Sequence, residues 1–239
     1  MQDFTAAFEA AFTMIVTFDP DLVEIVLRSL RISLLAVTIA GALGLPLGAA
    51  VALLRFPGQR AAGVLLSALM GLPPVVVGLL VYLALSRSGP FGALGLLFTP
   101  TAMVIAQVVL ITPIVAALTR QVVEDLWGEY GEQLSSLGSS RARAIPTLLW
   151  DGRFALVTVM LAGFGRASAE VGAVMIVGGN IDHVTRVMTT AIALETSKGD
   201  LPLALGLGIV LMLLALAVNG LAFLIRDATR APAAQEAAA

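Results

Sequence analysis

The chain contains no cysteine, and it has a single histidine and a single lysine among its 239 residues. The absence of cysteine excludes disulfide bonds, thiol nucleophiles and cysteine-ligated metals. One histidine, His183, does not support a histidine-built metal site. The lysine, Lys198, stands in Thr-Ser-Lys-Gly and not in the Gly-x4-Gly-Lys-[Ser/Thr] loop that cradles phosphates. We therefore predict no catalytic residue, no metal and no cofactor, and no ATP hydrolysis by this chain alone.

Charged residues are also scarce, at 13% of the chain, whereas hydrophobic residues make up 59% and the mean hydropathy is +0.97. A soluble protein of this length would need a more strongly charged surface. The composition therefore predicts a membrane protein with several spans. The formal net charge of −2 leaves no basic excess for binding nucleic acid.

Five apolar runs are candidates for membrane-spanning helices, each of which needs about 20 residues. The runs cover residues 32–54, 61–85, 102–118, 154–177 and 201–225, and the third is the shortest. Backbone groups inside a bilayer must be hydrogen-bonded within the protein, and a helix achieves this within one segment. The sequence thus predicts an all-α polytopic fold with five transmembrane helices.

The two ends of the chain differ from this pattern. Residues 4–18 are apolar but too few to span, and they include Glu9, so we predict a helix lying in the membrane interface. The N-terminus lacks the basic start and the cleavage site of a secretory signal peptide. The predicted organisation is an interfacial segment at 1–21, one transmembrane domain at 22–227 and a disordered, alanine-rich tail at 228–239.

The basic residues of the loops indicate the orientation of the spans. If the polar loop at about 120–153 is cytoplasmic, five spans place the N-terminus outside and the C-terminus in the cytoplasm. The residues then inside are Arg55, Arg60, Arg120, Arg141, Arg143, Arg153, Arg226 and Arg230. Those then outside are Arg28, Arg31, Arg87, Arg186 and Lys198. The inner excess favours this orientation in the plasma (inner) membrane.

The polar loop has the pattern of a helix, a turn and a second helix. Leu134 and Leu137 are three residues apart and would share one face of a short helix. Gly138 suits the left-handed position after a helix, and either following serine can cap the next helix. Such a helical hairpin can dock a partner, whereas the alternative is an ordinary solvated loop. The residues predicted to form the docking surface are Glu132, Leu134, Leu137, Gly138, Arg141 and Arg143.

Two ionisable residues lie within the fourth apolar run. Arg166 and Glu170 are four apart, so on a continuous helix they would share one face and form an ion pair. Gly165, Ala169 and Ala173 would form a ridge of small residues on the same helix. Buried charges within a bilayer are costly and often functional. We predict either a structural ion pair or a role in lining or gating a transport path.

The second apolar run contains two consecutive prolines, Pro73 and Pro74. Each proline removes a helix hydrogen bond and clashes with the preceding turn, so the helix must break or kink there. Broken backbone at membrane depth is tolerated where protein or a water-filled cavity shelters it. The pair therefore indicates either the wall of a path or a simple packing kink.

The segment between the fourth and fifth runs carries Asp182, His183 and Arg186. In the predicted orientation it faces outside, where a soluble partner could contact it. The alternative is an exposed loop whose histidine has no special role.

Several segments together resemble the permease subunits of ABC importers for oxyanions. Glu132 followed by Gly138 resembles the Glu-Ala-Ala loop of that family, although Gln133 and Leu134 replace the alanines. Trp150 also stands where a leucine is usual. The segments most similar to this branch, and in the later part to tungstate permeases, are 72–78, 88–92, 165–172, 175–183 and 189–199. The resemblance extends from about residue 22 to residue 225.

The resemblance implies a type I ABC importer permease fold that works by alternating access as a homodimer. Two cytoplasmic ABC ATPase subunits would bind the polar loops, and an extracytoplasmic oxyanion-binding protein would deliver the substrate. Tungstate is the implied substrate, with molybdate or sulfate as the alternatives. A stand-alone secondary transporter or channel and a membrane scaffold remain the other hypotheses. Transport without an ATPase would favour the former, and deletion without a transport phenotype would favour the latter.

Overall fold

The structure, a computed structural model, describes the backbone of residues 2–236 and the side chains of residues 5–225. Within the described backbone, ten α-helices and one 3₁₀ turn (Gly92–Leu94) follow one another. The helices are α1 (Gln2–Val16), α2 (Pro20–Leu53), α3 (Gln59–Leu69), α4 (Pro74–Leu85), α5 (Pro100–Ser136), α6 (Arg141–Asp151), α7 (Arg153–Ser168), α8 (Gly172–Gly178), α9 (Met188–Lys198) and α10 (Leu201–Glu236). The predicted all-α class is confirmed.

Three helices, α2, α5 and α10, are by themselves long and apolar enough to cross a membrane. The number rises to five if the bent pairs α3–α4 and α6–α7 each count as one span, which equals the predicted number. The run predicted to be shortest, 102–118, lies within the longest helix, α5, which has 37 residues. The residues after 118 were predicted as part of the polar loop because they are no longer apolar, but α5 continues through them to Ser136.

The predicted fourth span, residues 154–177, is not one continuous helix. It divides into α7 and the short α8, with residues 169–171 between them outside either helix. Helix α6 precedes α7 at a bend of 75°, so the candidate span found by composition is α6–α7 rather than α7–α8. The predicted second span divides as well, because α3 ends at Leu69 and α4 begins at Pro74.

The chain forms two compact units, each assembled from three segments. The first unit comprises Met1–Ala36, Pro73–Val108 and Arg166–Ala217, and the second comprises Val37–Leu72, Val109–Gly165 and Val218–Ala239. The predicted domain limits at 21/22 and 227/228 fall inside α2 and α10.

In the first unit, the beginning of α2 packs with α9 and α10. The buried cluster there contains Leu22, Ile25, Met188, Ala191 and Leu207. Helix α4 packs very closely on α8, because a Cβ atom on Gly78 would lie 2.7 Å from the Cα atom of Ala173. A small residue is therefore required where these two backbones meet.

In the second unit, the end of α2 packs against α5 and α6. The core cluster contains Ala49, Ala52, Leu53, Val123, Ala144 and Leu148. Gly48 permits the close approach of α2 to α5, since a Cβ atom there would lie 2.3 Å from the carbonyl oxygen of Ala116. Gln59 donates hydrogen bonds to the carbonyl groups of Val51 and Ala52, which satisfies the C-terminal end of α2.

Helix α1 covers most of the segment predicted as interfacial, with Ala7 and Ala11 buried and Phe12 largely exposed, and Phe18 after its end is also largely exposed. Its place in the membrane interface stays a prediction. Helix α10 ends at Glu236, and the side chains of the predicted disordered tail, 228–239, lie outside the described residues.

Candidate functional site: a helical hairpin and a broken membrane helix

The polar loop folds as a hairpin of the end of α5 and helix α6, both in the second unit. Gly138 has a φ of +76°, the left-handed conformation expected after a helix. The backbone N–H of Gly138 donates a hydrogen bond to the carbonyl oxygen of Ser135, and the N–H of Ser139 donates one to the carbonyl oxygen of Leu134, each at 3.0 Å. These two bonds form a Schellman motif. The predicted left-handed conformation of Gly138 at the end of a helix is confirmed.

The second arm of the hairpin begins at a capped N-terminus. The Ser140 side chain accepts a hydrogen bond from the backbone N–H of Arg143, so one of the two candidate serines is the cap. The Arg143 guanidinium donates to the carbonyl oxygen of Gly138 at 2.9 Å, which ties the start of α6 to the turn. The hairpin is therefore held by short-range contacts of its own residues.

The first arm differs from the predicted short helix, because it is the last part of the 37-residue α5. The two leucines also do not share a helical face. Leu134 packs against the core of the second unit, whereas Leu137 lies beyond the last residue of α5 and is 82% exposed. Glu132 is exposed on the same arm.

An apolar groove of about 340 Å³ lies between the two arms of the hairpin. Its lining includes Tyr130, Leu134, Leu137 and Trp150, and the Trp150 side chain is 73% exposed. In the sequence, Trp150 stands out only as a departure from the family pattern. Trp150 lies two residues after the buried Leu148, and residues two apart on a helix do not share a face, which accounts for its exposure.

The basic residues of the hairpin have different surroundings. Arg141 donates to the carbonyl oxygen of Leu53 at 3.4 Å and stacks over Trp127 at 5.3 Å, so it braces α6 against α2 and α5. Arg153, which follows the hairpin, stacks over the rings of Trp150 and Phe154. Of the two predicted docking arginines, Arg141 thus has a clear packing role.

The interruption between α7 and α8, in the first unit, carries the predicted ion pair. The Arg166 guanidinium lies 2.6 Å from the Glu170 carboxylate, and the side chain of Glu170 is 4% exposed against 36% for Arg166. The pair is confirmed, but α7 ends at Ser168, so the two residues do not share one helix. Glu170 also accepts a hydrogen bond from the backbone N–H of Ala173, at the start of α8.

Two long-range hydrogen bonds satisfy backbone carbonyl groups at this interruption. Gln107 of α5 donates its amide to the carbonyl of Ala167 at 3.1 Å, and Thr189 of α9 donates its hydroxyl to the carbonyl of Glu170 at 2.7 Å. Both side chains are buried. Neither residue was predicted as a site residue, although a glutamine inside the apolar third run is a signal that could have indicated Gln107.

The break predicted at the two prolines is confirmed. Pro73 is extended and Pro74 is the first residue of α4, a position that needs no backbone N–H. Helix α4 then packs on α8 through Gly78 and Ala173. The predicted ridge of Gly165, Ala169 and Ala173 is wrong, because the helix break separates its members and only Ala173 contributes to this contact.

The predicted outer loop is clamped to the beginning of α2 in the first unit. Arg28 donates to the carbonyl groups of His183 and Arg186 and pairs with Glu24. The His183 ring lies 2.9 Å from the Glu24 carboxylate, and the Asp182 carboxylate lies 2.9 Å from Arg186. The hydrogen bond to Glu24, followed by the charges of Glu24 and Asp182, raises the pKa of His183 above its ordinary value.

The structure thus brings Pro73, Pro74, Arg166 and Glu170 into the first unit, together with the loop of Asp182, His183 and Arg186. The docking residues of the hairpin all lie in the second unit. Among the described residues, no group of three or more histidine or acidic side chains is arranged to hold a metal ion.

Curated proteins with similar sequences indicate the family. The chain is 38% identical over 227 residues to the tungstate uptake system permease protein TupB of Peptoclostridium acidaminophilum, covering 95% of this chain and 100% of that one. It is 40% identical to a probable anion ABC transporter permease protein of Haloferax volcanii, covering 87% and 92% of the two chains. The sulfate transport system permease protein CysT of Salmonella typhimurium is 27% identical, with 78% and 72% covered.

No protein-family model matches the chain. The similarity to these permeases nevertheless covers almost its full length, including the hairpin, the helix break and the candidate spans. Permeases of this kind are the transport components of their systems and not the catalytic ones. The chain therefore belongs to the ABC transporter permease family, as a multi-pass membrane protein.

Proposed function

We propose that this chain is the membrane-spanning subunit of an ATP-driven importer for tungstate. The observation that carries the proposal is the 38% identity to a tungstate uptake permease over 95% of the chain. A second tungstate uptake permease, from Campylobacter jejuni, is 41% identical over 150 residues. Molybdate and sulfate are the alternative substrates, the latter because sulfate permeases are more distant relatives at 27% identity.

The hairpin of α5 and α6 is proposed to dock a cytoplasmic ABC ATPase subunit. Its Schellman motif and serine cap satisfy the backbone groups of its turn, and its groove exposes Leu137 and Trp150 to a partner. Leu148 on α6 packs in one core with Leu53 and Val123. A displacement of the hairpin would therefore be transmitted to α2 and α5, because close-packed cores do not absorb movement.

The helix break is proposed to take part in the transport path. Irregular backbone and a buried ion pair at membrane depth are costly, and they are often found at pathways of transporters. Arg166, at 36% exposed, remains partly accessible while Glu170 is buried. Pro73 and Pro74 begin α4, which packs on α8 directly after the break.

The remaining partners follow from the family. An extracytoplasmic oxyanion-binding protein is proposed to dock near Asp182, His183 and Arg186, with the N-terminus outside and the C-terminus in the cytoplasm of an inner membrane. In α10, 17% of the most apolar window is buried within the chain, against 56% for α5. An apolar helix that is so exposed is suited to contact with lipid. We also propose that two copies of the chain form a homodimer that binds two ATPase subunits.

Reconstitution tests the function directly. The chain is co-expressed with its ATPase and binding protein and placed in vesicles, and ATP hydrolysis is measured with tungstate, molybdate and sulfate. Stimulation by tungstate at the lowest concentration supports the proposal. Preference for another oxyanion would reassign the substrate, and uptake by the chain without an ATPase would support a secondary transporter.

A further inference from the structure

The loop between α8 and α9, residues 179–187, contains three residues with left-handed backbone. The φ angles are +71° at Gly179, +50° at Asn180 and +54° at His183. This conformation costs free energy for residues other than glycine, so tertiary contacts have to hold the loop in place. Backbone of this kind is often found at clamps and switches.

Helix α2 supplies the contacts that hold His183. Arg28 donates hydrogen bonds to the carbonyl oxygens of His183 at 2.8 Å and of Arg186 at 3.3 Å. The Nδ1 atom of His183 lies 2.9 Å from the carboxylate of Glu24, which also pairs with Arg28. Arg28 therefore holds the backbone of the loop, and Glu24 holds the ring. The arginine stays charged at every relevant pH, whereas histidine changes its charge near neutrality.

The charged residues around His183 surround a cavity of about 60 Å³ in the first unit. Helix α10 contributes only an apolar residue, Leu203, to its wall. The charged residues of the wall come from α2 and from the loop: Asp21, Glu24, Arg28, Asp182 and Arg186. The three carboxylates and two guanidinium groups leave one negative charge, which a protonated His183 neutralises.

The charged residues just beyond the wall have partners of their own. Glu195 of α9 lies 3.8 Å from Arg186 and 3.0 Å from Lys198. Asp19 accepts hydrogen bonds from the backbone N–H groups of Asp21 and Leu22 at the start of α2. His183 is therefore the group of this cluster that titrates near neutral pH, and its side chain is 66% exposed, so it exchanges protons with the solution directly.

We propose that Glu24, Arg28 and His183 form a pH-sensitive latch for the α8–α9 loop, which is closed while His183 is protonated and opens when His183 is neutral. In the closed latch the two ring nitrogens lie 2.9 Å from Glu24 and 3.9 Å from Asp182. Loss of the proton removes both ionic attractions and leaves the cluster with a net negative charge. The left-handed backbone of the loop is then less well compensated.

The direction of the pH dependence follows from the surroundings of the ring. The hydrogen bond to Glu24, followed by the charges of Glu24 and Asp182, raises the pKa of His183 in the folded protein. The latch is therefore fully closed below the ordinary pKa of about 6.5, and it opens as the pH rises through the higher folded pKa.

The consequence for transport rests on the proposed docking of a binding protein at this loop. A closed loop presents Asp182 and His183 in one conformation. An open loop has to be ordered again when the partner binds, which lowers the affinity. The affinity for the binding protein should therefore fall as the pH rises.

Opening of the loop can be measured on the full-length chain in detergent, without ATPase, binding protein or oxyanion. The chain has no cysteine, so single thiols can be introduced as reporters. Val187→Cys places a thiol at a position that is 6% exposed, and Val184→Cys, at 42% exposed, is the reference in the same loop. The ratio of their labelling rates corrects for the pH dependence of thiol reactivity. We expect this ratio to rise about threefold or more between about pH 6 and about pH 9.

Two variants, each made in both reporter backgrounds, assign the effect to the latch. His183→Asn tolerates the left-handed conformation but carries no charge, so the ratio should be high at both pH values. Asp200→Asn removes an exposed carboxylate outside the cavity wall, and this matched control should retain the rise seen with His183. A ratio that does not change with pH when His183 is present overturns the latch. An equal rise in His183→Asn overturns the role of His183.

A second measurement separates the latch from the proposed function. The affinity of the binding protein for the complex is measured at the same two pH values with His183 and with His183→Asn. A fall in affinity that requires His183 supports the consequence for docking. If the loop opens but the affinity does not change, the latch stands and the proposed docking at this loop fails.

Discussion

The hairpin and the α7–α8 break are both interruptions of a helix, but they are stabilised in opposite ways. The hairpin uses a left-handed glycine, a serine cap and Arg143, all between residues 134 and 143. The break uses Gln107 and Thr189, which are 60 and 19 residues away along the chain from the carbonyl groups that they bind.

The difference follows from the solvent around each feature. A hairpin exposed to water needs only local caps, because water can satisfy its remaining backbone groups. A break inside a membrane protein must find every hydrogen-bond partner within the protein. The hairpin should therefore be sensitive to its own residues, and the break to residues on other helices.

The largest expected effect is that of Gly138→Val on coupling. A β-branched residue is strongly disfavoured at a φ of +76°, where even other non-glycine residues cost about 1–2 kcal/mol. We expect tungstate-stimulated ATP hydrolysis to fall about tenfold or more, which corresponds to about 1.4 kcal/mol or more. Gly138→Asn, which tolerates this conformation, is the matched control and should retain most stimulation. Wild-type stimulation in Gly138→Val would contradict docking through the hairpin.

Among the effects on stability in detergent, that of Glu170→Ala should be the largest. It leaves the Arg166 guanidinium and the Ala173 N–H without their partner. Breaking a buried pair costs about 3–5 kcal/mol, and the partial exposure of Arg166 reduces the expected loss to about 3 kcal/mol. The double variant Arg166→Ala/Glu170→Ala should lose less than the sum of the single variants. Strict additivity would show that the two residues are not coupled.

Two hydroxyl deletions compare the interruptions directly. Thr189→Val removes the long-range bond to Glu170 and leaves a buried carbonyl unsatisfied, so we expect a loss of about 2 kcal/mol. Ser140→Ala removes the cap of α6 at the water-exposed hairpin, and we expect about 1 kcal/mol. Thermal unfolding of both variants in detergent measures the difference. A larger loss for Ser140→Ala would reverse the comparison.

The smallest effect concerns pH and His183. Because its pKa is raised in the folded protein, its pairing with Glu24 stabilises the fold fully below the unfolded pKa of about 6.5. This contribution is lost as the pH rises through the higher folded pKa. His183→Gln should therefore lower the melting temperature slightly at pH 6 and leave it unchanged at alkaline pH. A difference that grows with rising pH would contradict the pairing.

The predictions from the sequence were correct for features that depend only on neighbouring residues. Gly138 and the serine cap were predicted because backbone conformation and side-chain chemistry at a turn depend on neighbouring residues. The break at Pro74 was predicted for the same reason. Leu137 was placed wrongly because its exposure depends on where α5 ends, and the apolar pattern stops well before that point.

The prediction for Arg166 and Glu170 was correct in part. The sequence indicated that Arg166 and Glu170 pair, since two opposite charges within an apolar run have few other partners. It did not indicate that α7 ends at Ser168, because no proline marks the break and Ala167, Ala169 and Glu170 beside it are good helix formers. At the break, the carbonyl groups of Ala167 and Glu170 accept hydrogen bonds from Gln107 and Thr189, which lie on other helices.

The sequence alone determined that this chain is an all-α membrane protein with a capped hairpin, a proline break and a buried charge pair. The length of an apolar run and the positions of proline and glycine are local properties, so their effects can be recognised in the sequence without knowledge of the fold. Only the tertiary structure decided where α7 ends and which side chains satisfy the broken backbone. The physical reason is that hydrogen-bond partners and cavities depend on packing between residues far apart in the chain.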